Sequence, residues 1–287
     1  MKSVSGTTWK IQTIPERLIL KNQQDYNTSY LLSKILLEKK YTNEEIYNSL
    51  NMDQSENTTY HNEDFANAGK IFHECIKYNK KILIFGDYDV DGYSSTYLLY
   101  DFITKLNTQC DFYIPNRFID GYGPNKNLLS KLINKKKYSL IIFVDCGSNS
   151  SEEIHYLEKI GLKIIIIDHH QIYKKNYYKN TVIINPLKSY IKNQFSFFCA
   201  TTLVYYFIKY LAKNIEDKIK IDHNKYLFFS AFATICDQMP LRDINRIIVK
   251  KGLKNFNIKN FPNLKKVIKL KNKISSSDLS FSLGPLL

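Results

Sequence analysis

From Lys81 onward the chain alternates short apolar runs with longer stretches in which apolar residues recur every three to four positions. ILIF within 81–86, LIIFV at 140–144 and KIIII at 163–167 have the length and β-branched content of strands buried on both faces, the pattern of a parallel sheet. Runs at 110–114 and 181–184 complete a set of five strands. Helical periodicity fills the gaps at about Ser94–Leu106, 126–135 and 151–160, which suits right-handed crossover connections. The pattern predicts an α/β domain over 76–240, a parallel five-stranded sheet flanked by helices. Two further helices are predicted within it, over about Phe197–Ala212 and Asn224–Cys236.

The flanks read differently. Residues 1–75 form a helical and loop-like lead-in, with TSYLLSKILLEKKY followed by the cap-like TNEEIYNSL and a polar stretch, NMDQSENTTYHNED. Nothing there carries chemistry: His61 and His73 stand alone without acidic neighbours at ligand spacing, and Trp9 reads as a packing anchor. Residues 241–287 read as a helical, basic tail.

Against 41 Lys and Arg the chain sets 27 Asp and Glu, a formal charge of +14. A basic body around an acidic pocket suits a polyanionic substrate. Abundant Lys, Asn, Ile and Tyr equally fit compositional drift in an AT-rich genome, so the charge alone does not decide. The five cysteines form no CxxC pair, which argues against a zinc ribbon or disulfide framework and for a reducing compartment. No signal-like apolar segment opens the chain, and no apolar run approaches about 18 residues. A soluble, cytoplasmic protein is the expectation.

The candidate chemistry lies in four aspartate-bearing segments: DYDVDG at Asp87–Gly92, VDCG at Val144–Gly147, IDHH at Ile167–His170 and ATICD at Ala233–Asp237. Three follow predicted strands directly, so their side chains belong to the carboxyl edge of the sheet, where segments distant in sequence converge. Converging carboxylates repel one another unless a cation neutralises them. In DYDVDG an extended backbone would point Asp87, Asp89 and Asp91 the same way, with Gly92 turning the chain into the next helix. A calcium loop of the EF-hand type would need flanking helices and a glutamate at its twelfth position; here a strand precedes the motif. His169 and His170, adjacent at a strand end among acids, suit a metal ligand beside a group that supports it or the transition state, and imidazole among carboxylates suits Mn²⁺ better than an all-oxygen cage, with Mg²⁺ also open. Asp145 supplies a further carboxylate, able to bridge two metals. Asp237 alone reads as a cap or turn residue or as a ligand.

Together and in this order, the segments resemble the DHH phosphoesterase superfamily, named for the triplet seen at Asp168–His170. FGDYDVDGYSST, YIPNRFIDGYG at Tyr113–Gly123, INP at Ile184–Pro186, ATICDQMPL with NRI at Asn245–Ile247, and SDLSFSLGP at Ser277–Pro285 are similar to the RecJ-type single-strand-specific exonucleases within it. The resemblance implies a DHH catalytic domain and two Mn²⁺ or Mg²⁺ ions. It makes Asp89 and Asp145 ligands of one metal and Asp91, Asp145, His169 and Asp237 ligands of the other, with Asp145 bridging and Asp87 and His170 close by as catalytic groups. It further implies 5′-to-3′ hydrolysis of single-stranded DNA in recombination and repair, with a single-strand-binding protein or helicase as partners. Arg117 reads as a phosphate contact or an exposed structural arginine, and Tyr122 as a base-stacking ring or a turn residue. Tyr177 and Tyr178, in the basic loop KKNYYKN, are weaker candidates of the same kind.

The match departs from the family pattern in three places. Phe85 stands where many members have a histidine, so one ligand of the first metal is missing or Asp87 replaces it. In CATT, Cys199–Thr202, the family has glycines opening a helix, and Ala200 and Thr202 are expected to crowd a close backbone contact. At the end Leu286 stands where RecJ-type proteins continue with an arginine, a second DHH-associated domain and an oligonucleotide-binding fold; the expectation is a shortened gene or a separately encoded remainder. Besides the exonuclease, two readings stay open: hydrolysis of short oligonucleotides or cyclic dinucleotides, and an inactive remnant that only binds nucleic acid.

Overall fold

The computed structural model describes residues 3–8, 13–51, 63–174, 177–188, 195–215, 219–261 and 273–286. Trp9 and His61 lie outside them. Contacts divide the chain into two compact units, Met1–Asn57 and Thr58–Leu287.

In the first unit α1 (Glu16–Tyr26), α2 (Tyr30–Glu38) and α3 (Asn43–Leu50) are short helices, and side-chain caps set the starts of α2 and α3. Ser29 accepts from the Leu32 N–H at α2. Thr42 and Glu45 form a reciprocal capping box at α3, at 3.2 and 2.7 Å, satisfying two N–H groups that the first turn leaves unpaired.

The second unit holds a parallel sheet in the order β2-β1-β3-β4-β5, from β1 (Ile82–Phe85), β2 (Cys110–Tyr113), β3 (Leu140–Val144), β4 (Lys163–Ile167) and β5 (Thr181–Ile184). Because strand side chains alternate, each run serves two cores. Ile82, Ile84, Ile142, Val144, Ile165 and Ile167 face a core shared with α4 (Glu63–Lys77), α5 (Val90–Lys105) and α8 (Ala200–Asn214), where Phe65 and Phe72 meet Phe207 edge-on at 5.5 and 6.2 Å. Leu83, Phe85, Ile141, Phe143, Ile164 and Ile166 face the opposite core, closed by α6 (Lys126–Lys135) and α7 (Ser151–Lys159). This double burial explains why β1 and β3 carry no polar residue and β4 only Lys163 at its start. The chain steps from β1 to β2 in one direction and then crosses back to β3, so the order reverses between β1 and β3. At such a reversal the connections leave on opposite faces and a crevice opens at the carboxyl ends of the two strands.

The helix after β1 begins at Val90, four residues earlier than its periodicity suggested, because Asp89 caps it by accepting from the Gly92 N–H at 2.9 Å. The DYDVDG segment is therefore not an extended strand end: Asp87 lies in the turn, Asp89 is the cap and Asp91 is already helical.

Behind α8 lie α9 (His223–Cys236) and α10 (Asp243–Lys254). The C-terminal segment is not one continuous helix. After α10 come a short 3₁₀ turn at Ile258–Asn260 and helical turns from Ser276 to Leu286, and Phe256, Ile258, Phe261, Leu279 and Leu283 join Phe228 and Phe232 of α9 in a third core. Asn245, 1 % exposed, donates to the carbonyls of Phe197 and Pro240 and so ties the start of α10 to the segment leading into α8. No helix among the described residues is long and apolar enough to cross a membrane.

Two features of this packing are testable. A Cβ at Gly252 of α10 would lie 2.6 Å from the Ala231 Cβ and 2.9 Å from the Leu227 carbonyl oxygen of α9. Gly252→Ala should cost about 1–3 kcal/mol of overpacking in chemical denaturation, despite alanine's higher helix propensity; equal or greater stability would show that the two helices separate freely. At the other end of the sheet Asp111 meets Lys81 and Lys136 at 3.0 Å and the Tyr138 hydroxyl at 2.8 Å. Burial pushes its carboxyl up, but these partners outweigh it and lower it from 3.8 to about 2. The folded value is the lower one, so the stabilisation is present above pH ~4 and lost as pH falls toward ~2. Asp111→Asn should therefore be less stable than the parent at pH 7, with the gap in melting temperature closing over that interval.

Candidate metal centre

Asp145 follows β3 in the left-handed region, at φ 61°, a conformation that costs a non-glycine residue about 1–2 kcal/mol. It is 1 % exposed, and neither of its carboxylate oxygens has a hydrogen-bond partner. Burial, reinforced by Asp91, Asp89 and Asp168, pushes its carboxyl well above the ordinary range. A buried, unpartnered carboxylate among like charges is destabilising by itself. Asp87 repeats the pattern: its Oδ1 is buried and unpartnered, and burial with Asp89 and Asp168 nearby raises it to about 6.

Among the described residues three groups have donor atoms within 4.8 Å of one another: Asp87, Asp89 and Asp145; Asp91, His169 and Asp237; and Asp145, His169 and His170. The His169 Nε2 joins them, 3.3 Å from Asp145 Oδ1, 3.4 Å from Asp237 Oδ2 and 3.6 Å from Asp91 Oδ2. Among the described residues no lysine or arginine forms an ion pair with any of these aspartates, whose ion-pair partners are histidines. Oxygen donors with one imidazole, partly orphaned and buried, form a set that fits a hard or borderline divalent cation.

Each ligand candidate is held by a different device. Gly92 is needed because a Cβ there would lie 2.4 Å from the Asp87 carbonyl oxygen, so only glycine lets the first turn of α5 press against the Asp87 backbone. Asp91 sits against the start of α8: its oxygens accept from the N–H groups of Ala200 and Thr201 at 2.6 and 2.7 Å and from the Thr201 hydroxyl at 2.6 Å. The unpaired N–H groups and positive end of a 15-residue helix thus fix this carboxylate. The CATT segment makes this close contact despite Ala200 and Thr202, because the N–H groups reach Asp91 while the side chains pack in buried space. Asp237 occupies the C-cap position of α9, and it also reaches His169, so the cap and ligand readings describe one residue. Burial and the neighbouring Asp91 and Asp89 raise it to about 6, against the pull of His169.

Phe85 is wholly buried in the second core, its ring 5.4 Å from that of Phe143. It contributes nothing to the centre, and the Asp87 carboxylate stands in the first group instead. His73 is exposed on α4, far in sequence from any of these groups.

Sequence reasoning left Asp168 without a role, and it proves to be the organiser of the strand end. Its Oδ1 accepts from the His169 N–H at 2.7 Å, the His170 N–H at 3.1 Å and the His170 Nδ1 at 2.8 Å, and its Oδ2 accepts from the Ser148 N–H at 3.0 Å. Burial opposes its charge, yet His170 and Ser148 hold its carboxyl well below the usual range, and in return Asp168 raises the His170 imidazole. Asn185 was equally unassigned. Its Nδ2 donates to the Ser148 hydroxyl and the His170 carbonyl at 3.0 and 2.9 Å, locking the ends of β3, β4 and β5 together. Both stand in quoted motifs, Asp168 in the DHH triplet and Asn185 in INP, each as a polar residue immediately after an apolar run.

Of the substrate candidates, Tyr122 has its ring 6.1 Å from that of His170 and 6.4 Å from that of Tyr88. The Arg117 guanidinium lies 5.5 Å over the Tyr88 ring, one aromatic further out. Asp120 shapes the turn that carries them by accepting from the Asn116 N–H and the Tyr113 hydroxyl at 2.8 and 2.9 Å.

Comparison with known proteins agrees with this geometry. The chain is 33% identical over 218 residues to the single-stranded-DNA-specific exonuclease RecJ of Bacillus subtilis, covering 75% of this chain and 27% of that protein. It is 27% identical over 234 residues to the Escherichia coli RecJ, covering 77% of this chain and 40% of that one. The chain thus spans well under half the length of these curated relatives. Among solved structures, Thermus thermophilus RecJ in complex with Mn²⁺ superposes with a TM-score of 0.74 over 96% of this chain and 39% of that one, at 18% identity, a likeness of fold. The model of the DHH family, N-terminal domain, matches residues 81–231, more than half of the sequence and all of the strands that carry Asp87 to His170. With that match over its sheet and centre, the chain belongs to the DHH family.

Proposed function

We propose that this chain is a RecJ-like nuclease: it hydrolyses phosphodiester bonds of single-stranded DNA from the 5′ end, in recombination and repair, at a centre holding two Mn²⁺ or Mg²⁺ ions. The observation that carries this reading is the buried Asp145 carboxylate, with no hydrogen bond to either oxygen, shared by two of the three donor groups. In this reading Asp89 and Asp145, with Asp87 beside them, hold one ion, and Asp91, Asp145, His169 and Asp237 hold the other. Bound there, the ions supply Lewis acidity, water activation and neutralisation of charge on the scissile phosphate.

The chain's own residues do the positioning. The start of α8 and Thr201 hold Asp91 in place before any ion arrives. Asp168 engages the His170 Nδ1, which leaves the Nε2 to meet a phosphate oxygen, and keeps the imidazole protonated over a wider pH range than usual. His170 then donates to the phosphate, and Tyr122 beside it offers a ring face to a base. The +14 charge draws the polyanion in, which an inactive fold would have no need to combine with a fully assembled acidic centre.

Asp145→Asn separates charge from shape. In metal-free protein the variant should melt at a higher temperature than the parent, because it removes a buried carboxylate charge that has no hydrogen bond and is crowded by other carboxylates. It should also lose the Mn²⁺-dependent rise in melting temperature that the parent shows, together with nuclease activity. A parent that shows no such rise, or a variant that cleaves single-stranded DNA at the parental rate, would remove the centre from the reaction.

The substrate class is tested by comparing a long 5′-phosphorylated single strand, its duplex, and a linear or cyclic dinucleotide under Mn²⁺. The single strand should give mononucleotides with a kcat/KM at least tenfold above the others. Preferential turnover of dinucleotides would move the assignment to a small-substrate phosphodiesterase of the same family.

A further inference from the structure

Along the outer edge of β5 a cavity of about 480 Å³ opens beside the centre, lined among others by Ser148, Ile172, Lys174, Tyr177, Tyr178 and Val182. Its size falls within the roughly 300–1,000 Å³ of small-molecule sites. It adjoins the centre through shared structure. Ser148 of its wall donates its N–H to Asp168 and accepts from Asn185, and Ile172 follows His170 by two residues. Its rim is anchored as well: Asn149, at the approach to α7, donates its side chain to the Gln171 carbonyl at 2.9 Å and accepts from the Tyr173 N–H at 3.1 Å.

The lining is chemically mixed in a way that suits one class of ligand. Ile172, Val182 and Tyr178 give an apolar wall, whereas Lys174 and Lys188 place cations at the rim, the latter 2.8 Å from Asp64. Tyr177 is 92 % exposed, an aromatic ring held out at the mouth. A flat heterocycle on the apolar wall with a phosphate at the lysines describes a nucleotide, and an exposed ring beside it is a stacking surface for a base. Ser148 lines the pocket and donates its N–H to Asp168 at the strand end that leads into His169 and His170, so the pocket and the centre share a wall.

We propose that this pocket is a nucleotide subsite, taking a base and phosphate of the single strand next to the nucleotide at the metal centre. The proposal rests on the nuclease reading for its substrate, but its test does not require turnover. The full chain, with Ca²⁺ in place of Mn²⁺, is irradiated with a short oligothymidylate carrying 5-iodo-deoxyuridine, and the adduct is mapped by mass spectrometry. In parallel, the affinity of a fluorescent oligothymidylate is measured by anisotropy for the parent and for Lys174→Ala/Tyr177→Ala, two exposed positions whose change leaves the core intact.

The expected result is an adduct at Tyr177 or Tyr178 and at least a fivefold loss of affinity in the double variant, with a shallower salt dependence from the missing lysine. Adducts confined to the Tyr88–Tyr122 side, with unchanged affinity, overturn the subsite. If the adduct forms at Tyr177 but no strand is ever hydrolysed under Mn²⁺, the pocket stands and the nuclease reading falls. If strands are hydrolysed while the adduct maps elsewhere, the pocket alone falls.

Discussion

Like charge brought together away from water is the constraint around which the carboxyl edge of this sheet is built. Asp145 is buried without a hydrogen-bond partner on a backbone that is itself under strain, and Asp87, Asp89, Asp91 and Asp237 converge on it. A fold stabilised by some 5–15 kcal/mol overall tolerates such a cluster only if its members are individually restrained and collectively compensated. The restraints are visible: a helix start for Asp91, a glycine-tight turn for Asp87, a helix end for Asp237 and a single imidazole among three carboxylates. Collective compensation is what a cation supplies, and the arrangement has little purpose without one.

The sheet was legible because it obeys simple rules. Runs such as LIIFV and KIIII are buried on both faces, so no polar residue interrupts them, and length with β-branching sufficed to place all of the strands to within about a residue. The start of α5 was misplaced because periodicity sees where apolar residues recur, whereas the helix begins where a cap is available, and Asp89 provides it inside a segment that otherwise reads as a turn. The C-terminal segment reads as helical, and helical turns are what its described residues form. Its apolar residues are spaced to plug a core under α9, a demand that short irregular turns meet as well as a helix does.

The centre was legible by type and less so by mechanism of support. Carboxylates and histidines immediately after apolar runs mark the strand ends, and the order of the motifs supplied the candidate ligands. What no pattern in the chain announces is who holds whom. Asp168 takes four donors from three neighbouring residues, Asn185 joins three strand ends, and Thr201 with Ala200 grips a carboxylate 109 or 110 residues earlier. Such contacts depend on which strands become neighbours, and the reversal of order between β1 and β3 is a property of the whole sheet. The substitution of Phe85 for a polar ligand illustrates the converse: read alone it looks like a lost function, whereas in the sheet it is a side chain on the other face.

Asp237 differs from the rest of the set in where it stands. It caps α9, and α9 is packed by α10 and by the third core, which also takes in Val90 between Asp89 and Asp91. Whatever occupies the centre is therefore linked thermodynamically to the C-terminal layer. Any ligand that favours the docked position of Asp237 favours the packing of α10 by the same free energy, and loosening that packing weakens the ligand's hold in equal measure.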